Sequence, residues 1–189
     1  MGIPTLIKTL TASGSDYLDF VDGTSDVTFD STYDEYMFVY TDINPETEGV
    51  NFTFQVNATD DAGGDYDVSL ITSTVFRAFH RENDAAASLD YQTGEDQAQA
   101  AGFQILAAGV GADADQSCAG VFHLFSPSST TYVKHFYSRS HRAFASGSGD
   151  GSGDSFFAGY INDTTAIDEI RFKMSADAFD GVIQLFGIA

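Results

Sequence analysis

The stretch Val50-Asn51-Phe52-Thr53-Phe54-Gln55-Val56-Asn57 decides the fold class. Val50, Phe52, Phe54 and Val56 fall on one side of an extended chain, and Asn51, Thr53, Gln55 and Asn57 on the other. That period of two describes a strand with one face on a core and one on solvent. Asp60-Asp61-Ala62-Gly63-Gly64-Asp65 follows as a turn. Upstream, Tyr36, Phe38 and Tyr40 alternate with Met37 and Val39, so both faces are apolar and a strand buried in the middle of a sheet is expected. Downstream, Ile170, Phe172 and Met174 are expected to point inward, with Glu169, Arg171 and Lys173 outward. Further strands are expected over residues 66–71, 74–79, 103–106, 121–125, 131–137 and 182–188. Only residues 94–102 invite a helix, and they span about two turns without an apolar stripe, so a loop or a single turn is expected there. The Gly/Ser/Asp-rich run 146–155 reads as a surface loop. Roughly eight to ten short strands joined by turns describe an all-β, two-sheet antiparallel β-sandwich, of jelly-roll type first and immunoglobulin-like as the alternative.

The composition agrees. With 189 residues and 43% hydrophobic content, the chain can bury a core as one domain without disulfides or metals. Its aromatic residues are 17 Phe and 9 Tyr with no Trp, which suits pleated, half-buried surfaces. Residues 1–15, with the apolar cluster Ile3 to Leu10 and then Ser13-Gly14-Ser15, read as an N-terminal arm or first strand; residues 16–189 form the sandwich domain. Such arms often pair with a neighbour.

Eight Lys+Arg against 28 Asp+Glu leave a formal net charge of -20, which disfavours a nucleic-acid partner. No stretch approaches the roughly 18 apolar residues of a membrane span, and Met1 to Lys8 lack the basic start and apolar run of a signal peptide. The expectation is a chain kept in the cytoplasm until it joins an assembly, with no membrane partner. Cys118 is the only cysteine, so no internal disulfide forms, and a buried filler role is expected for it.

No catalytic chemistry emerges. Gly147-Ser148-Gly149 is a fragment of a nucleophile-elbow pattern, but it lies in a low-complexity loop. His123 and His135 could sit on neighbouring strands, yet no third zinc ligand suggests itself. The loops with Asp60-Asp61, Asp113-Ala114-Asp115 and Asp150 to Asp154 are oxygen-rich but lack the layout of a calcium loop. No catalytic residue, metal site or cofactor is therefore expected.

The basic residues are few and clumped. Arg77 and Arg81 fall beside His80, and Lys134, Arg139 and Arg142 fall beside His135 and His141. If strands bring these windows together they form a positive patch for an acidic partner surface; alternatively the arginines pair internally with carboxylates such as Glu82 and Asp84. Together with Ile3, Leu6 and Ile7 of the arm, these eight residues are the candidate partner-binding set.

Several stretches resemble one family. Ser31-Thr32-Tyr33-Asp34-Glu35-Tyr36, followed by an aromatic strand and Thr41-Asp42-Ile43-Asn44-Pro45, looks like the start of a family of small virion structural proteins of marine tailed phages. Phe76-Arg77-Ala78-Phe79-His80, Tyr91 to Gln97, His123 to Tyr132, Ala158-Gly159-Tyr160, Ile167 to Ile170 and the ending Ile183 to Ile188 fit the same pattern, over nearly the whole chain. The resemblance implies a virion component with a jelly-roll-like sandwich and no catalytic residues. A capsid decoration or cement protein is expected, contacting the major capsid protein or other virion proteins, as a homo-oligomer and specifically a trimer. A tail or head-fibre module that binds host glycan is the alternative.

Overall fold

The computed structural model describes residues 2–66, 68–144 and 149–189. Thirteen strands follow one another: β1 (Thr5–Ser15), β2 (Leu18–Val21), β3 (Glu35–Pro45), β4 (Val50–Ala58), β5 (Ile71–Arg81), β6 (Ala87–Tyr91), β7 (Ala98–Ala100), β8 (Gln104–Val110), β9 (Cys118–Phe125), β10 (Lys134–Phe144), β11 (Gly151–Ile161), β12 (Ile167–Met174) and β13 (Phe179–Ile188). They form two antiparallel sheets with no helix among the described residues. The large sheet runs β1-β13-β3-β9-β10-β11-β5-β6, with β7 also on β5, and the small sheet runs β2-β12-β4-β8. The chain is an all-β, two-sheet sandwich.

The alternation in β4 does what its pattern dictates. Phe52, Phe54 and Val56 are fully buried between the sheets. Phe54 lies 4.4 Å from the Phe122 ring centroid and 5.1 Å from that of Phe136 on the opposing sheet. Phe38 reaches across to Phe20 and Phe172 with centroids 5.2 Å away in both cases. Each such ring contributes about 1.5–3 kcal/mol of burial, and offset or edge contacts add about 0.5–1.5 kcal/mol per pair. The other face of β4 is buried too. Gln55 and Asn57 have no exposed surface, and Gln55 donates to the carbonyls of Ser69 and Ala101, 3.1 and 2.9 Å away. The segments 68–70 and 101–103 thus fold over the small sheet, so a face read as solvated is covered.

Several local expectations shift. Residues 5–15 lie along β13 as an edge strand of the large sheet, from Thr5 opposite Gly187 to Ser15 opposite Phe179. Tyr66 is in a turn, Val68 and Ser69 are in a bend, residue 67 lies outside the described residues, and the strand begins at Ile71. Residues 98–100 within the proposed loop pair with β5. The second half of the run read as a loop at 146–155 is strand: β11 starts at Gly151 and pairs with both β10 and β5. Its glycines are required by close approach. A Cβ on Gly151 would lie 2.7 Å from the Phe144 ring, and one on Gly153 would lie 3.2 Å from Nε of Arg142. Small residues here make room for large side chains of β10, so the first half of the strand has no hydrophobic signature of its own. Residues 145–148, including the Gly147-Ser148 fragment, lie outside the described residues.

Candidate interaction surface

The two basic windows sit on β5 and β10, and β11 separates them, so Arg77 faces Ser155, which in turn faces Ser140. Alternation then sorts the candidate residues between the two sides of the sheet. Arg77, Lys134 and Arg142 point inward. His80, His135, Arg139 and His141 point outward, and the register places His123 of β9 on the same outward side. All four histidines of the chain therefore rise from one face of the large sheet.

The inward cations are bound inside the molecule. Arg77 pairs with Glu95, from the loop beneath β5, in an ion pair with both side chains mostly buried. Burial holds the Glu95 carboxyl above the usual range, with Arg77 and Arg142 opposing that shift. Lys134 is fully buried, and its ammonium donates to the carbonyl oxygens of Asp163, 3.2 Å away, and Thr165. Burial lowers the Lys134 pKa, and the charges of Asp163 and Asp60 oppose that shift. Arg142 is 7% exposed, and its Nε and Nη1 have no hydrogen-bond partner. Burial and the neighbouring Arg77 push its pKa down to about 10, against Glu95. The sequence put Arg77, Lys134 and Arg142 in a docking patch; the structure places all three beneath the sheet. The acids that meet Arg77 and Arg139 are Glu95 and Asp154, brought in by folding, whereas the sequence pointed to Glu82 and Asp84.

Outward, Arg139 donates from Nε and Nη2 to both oxygens of Asp154, at 3.1 and 2.8 Å, and lies over the Phe156 ring at 4.8 Å. His141 Nε2 and the Ser152 hydroxyl are 2.7 Å apart, and His80 Nε2 lies 3.2 Å from Asp84. His123 is hydrogen-bonded to Glu35 and stacks on Tyr137, centroids 4.4 Å apart. His135 meets the edge of Tyr160. Arg81 donates to the carbonyl of Gly149, 2.8 Å away. Of the arm residues, Ile3 precedes β1 and is exposed, Leu6 points outward, and Ile7 packs against the core.

The same outward face carries residues that charge patterns did not select. Across the sheet, Leu6, Phe186, Met37, His123, Tyr137 and Ala158 form one row. The adjacent row is Gln184, Val39, Val121, Arg139, Phe156, Phe76 and Tyr91. Phe76 and Phe156 stack with centroids 4.7 Å apart and planes 9° apart. Phe76 is 47%, Tyr91 52% and Leu89 68% exposed. A cavity of about 380 Å³ opens among Thr74, Phe76, Val121, Tyr137 and Phe156. Glu35, Asp84, Asp96 and Asp154 bring carboxylates to this face, and each is already bonded to a side chain on it. One signal was present in the sequence: Met37 and Val39 made β3 apolar on both sides. No layer of the described residues covers that second side.

Comparison with family models, with curated proteins and with solved structures returned no match.

Other chemistry is sparse among the described residues. Cys118 is buried, and burial pushes its thiol far above the ordinary range, which suppresses the thiolate. Asp60, Asp61 and Asp163 bring carboxylate oxygens within 4.8 Å of one another. Burial raises the Asp61 pKa first, and its acidic neighbours add to that. The buried ammonium of Lys134 stands next to this group as countercharge. Asp113-Ala114-Asp115 and Asp150 to Asp154 form no comparable cluster among the described residues.

Proposed function

We propose that this chain is a non-catalytic structural protein of a phage particle, a decoration or cement subunit that seats the outward face of its large sheet on the major capsid protein. The observation that carries the proposal is an outward sheet face with an apolar centre that no layer of the described residues covers. Met37, Val39, Val121, Phe156, Phe186 and Phe76 would ordinarily lie under a second layer, and here that layer would be another protein.

Size and charge support a protein partner. Eight strands about 4.8 Å apart and about 20 Å of outward side chains on each give on the order of 700 Å², close to the roughly 800 Å² that one partner contributes to a standard interface. The partner surface is apolar at its centre and weakly charged, because Arg139 and Asp154 already neutralise each other. A second copy of this chain is less suited to the face, since it would bring another -20 charge against the first. The unpaired edges of β1 and β6 remain for contacts between copies, in the trimer expected at a local threefold. The acidic remainder of the molecule faces solvent and favours dispersal of the finished particles. On this reading the protein accumulates in the host cytoplasm and ends in the virion.

Quantitative mass spectrometry of purified particles tests the proposal. Hundreds of copies per particle are expected. A few tens or fewer would assign the chain to the tail or a fibre, and absence would remove it from the virion.

A further inference from the structure

At the end of the sandwich where β3 begins, and where β9 turns into β10, residues 31–34, 125–135 and Thr164 enclose a cavity of about 660 Å³. That volume lies within the range of roughly 300–1,000 Å³ typical of small-molecule sites. The cavity lies at the strand ends and adjoins the docking face, since Phe125 of its lining packs on Tyr137 with centroids 5.8 Å apart, but its lining has a different character. Tyr33, Phe125 and Tyr132 supply aromatic walls, while Ser128, Thr131 and the exposed carboxylate of Asp34 supply polar groups.

The walls are held in place before any ligand arrives. The Ser129 hydroxyl accepts from the backbone N–H groups of Thr131 and Tyr132 at 3.3 and 3.2 Å, which fixes the loop that carries Tyr132. The Ser126 N–H donates to the carbonyl of Asp34 at 2.8 Å, and the Ile167 N–H to the carbonyl of Pro127 at 2.9 Å. Tyr33 stands edge-on to Tyr36, centroids 5.9 Å apart, over Gly187, where a Cβ would overlap its ring. Tyr132 is 73% exposed. A tyrosine on a loop pinned by its own hydrogen bonds has limited freedom to turn away from water, and it offers a ring face with a polar rim.

We infer that this cavity is a binding site for a neutral saccharide. A sugar ring has an apolar C–H face, which stacks on an aromatic side chain, and a rim of hydroxyls, which bond to serine and threonine hydroxyls and to a carboxylate accepting from two adjacent O–H groups. The lining offers both kinds of contact. A purely apolar ligand would leave Ser128, Thr131 and Asp34 without partners. A phosphate or sulfate would meet Asp34 with His135 as the sole side chain in the lining able to carry positive charge. An extended peptide would be expected at a free sheet edge instead.

The test is a glycan array probed with the biotinylated full chain assembled on streptavidin, so that four linked copies raise the avidity of a weak site. The wild-type chain is expected to retain neutral oligosaccharides, Tyr132→Ala and Asp34→Asn each to reduce that signal at least tenfold, and Leu89→Ala, an exposed apolar residue on β6, to leave it unchanged. Retention confined to anionic glycans, a wild-type chain without signal, or an undiminished Tyr132→Ala signal would each overturn the assignment.

Discussion

Replacing Arg142 by methionine should make the protein more stable. Arg142 projects from β10 beneath the sheet with 7% exposure and leaves Nε and Nη1 unpartnered. Its pKa falls from the ordinary arginine value to about 10, and 1.36 kcal/mol per unit makes the charged form about 3 kcal/mol less favourable inside than in the unfolded chain. The sign is that of a base with a depressed folded pKa. The penalty is present in full below about pH 10 and fades only above it, toward the ordinary arginine range. Methionine keeps an apolar stem and removes the charge. It also forfeits the contact of the guanidinium with the Phe144 ring at 5.2 Å, worth about 1 kcal/mol. Glu95 keeps Arg77 as its partner. The net expectation for Arg142→Met is a gain of about 1–3 kcal/mol. Urea unfolding followed by circular dichroism, at about pH 6 and about pH 8, should show the same gain at both, since neither approaches the folded pKa. A loss of more than about 1 kcal/mol would refute the reasoning, because it would mean that some group compensates the buried guanidinium.

Three further substitutions probe the packing. Tyr40→Phe removes a buried hydroxyl bonded to Ser138, 3.1 Å away, and to Ser140, and should cost about 1–3 kcal/mol in urea unfolding, chiefly by weakening the bonding of Ser140, since Ser138 keeps its bond to the Val121 carbonyl. Phe54→Ala empties the space between Phe122, Phe136 and Phe172 and should cost about 3–5 kcal/mol in the same assay. Gly187→Ala places a methyl inside the Tyr33 ring; a loss of about 1–3 kcal/mol is expected, with shifted Tyr33 ring resonances in NMR spectra as the local readout.

Period-two alternation made the class of fold legible, because β4 and β12 are lined on one side by Phe52, Phe54, Ile170 and Phe172 and pack that side on the opposite sheet. It failed where side-chain size obeys a neighbour. β11 is built of Gly151, Gly153 and Ser155 on its inner side since Phe144, Arg142 and Arg77 occupy the space beside it, and a strand of small residues looks like a linker. β6 and β7 were missed because their few residues are mostly exposed and pair only with β5. For the surface, clustering of charge along the chain pointed to β5 and β10 but not to which side of the sheet each residue takes. In β5 and β10, adjacent residues point to opposite sides, so Arg139 and His141 stay outside while Lys134 and Arg142 go in. The both-sided apolarity of β3 was the better guide. It was read as burial within this chain, and the large sheet leaves the second side uncovered.

Cryo-electron microscopy of purified particles of the proposed phage tests the central proposal most directly, through the orientation of each copy. The account predicts density for the sandwich on the outer capsid surface, with Met37, Val39, Val121, Phe156 and Phe76 against the major capsid protein and the small sheet toward solvent. Copies attached with that face open to solvent, or found at the tail, or missing from the particle, would contradict it.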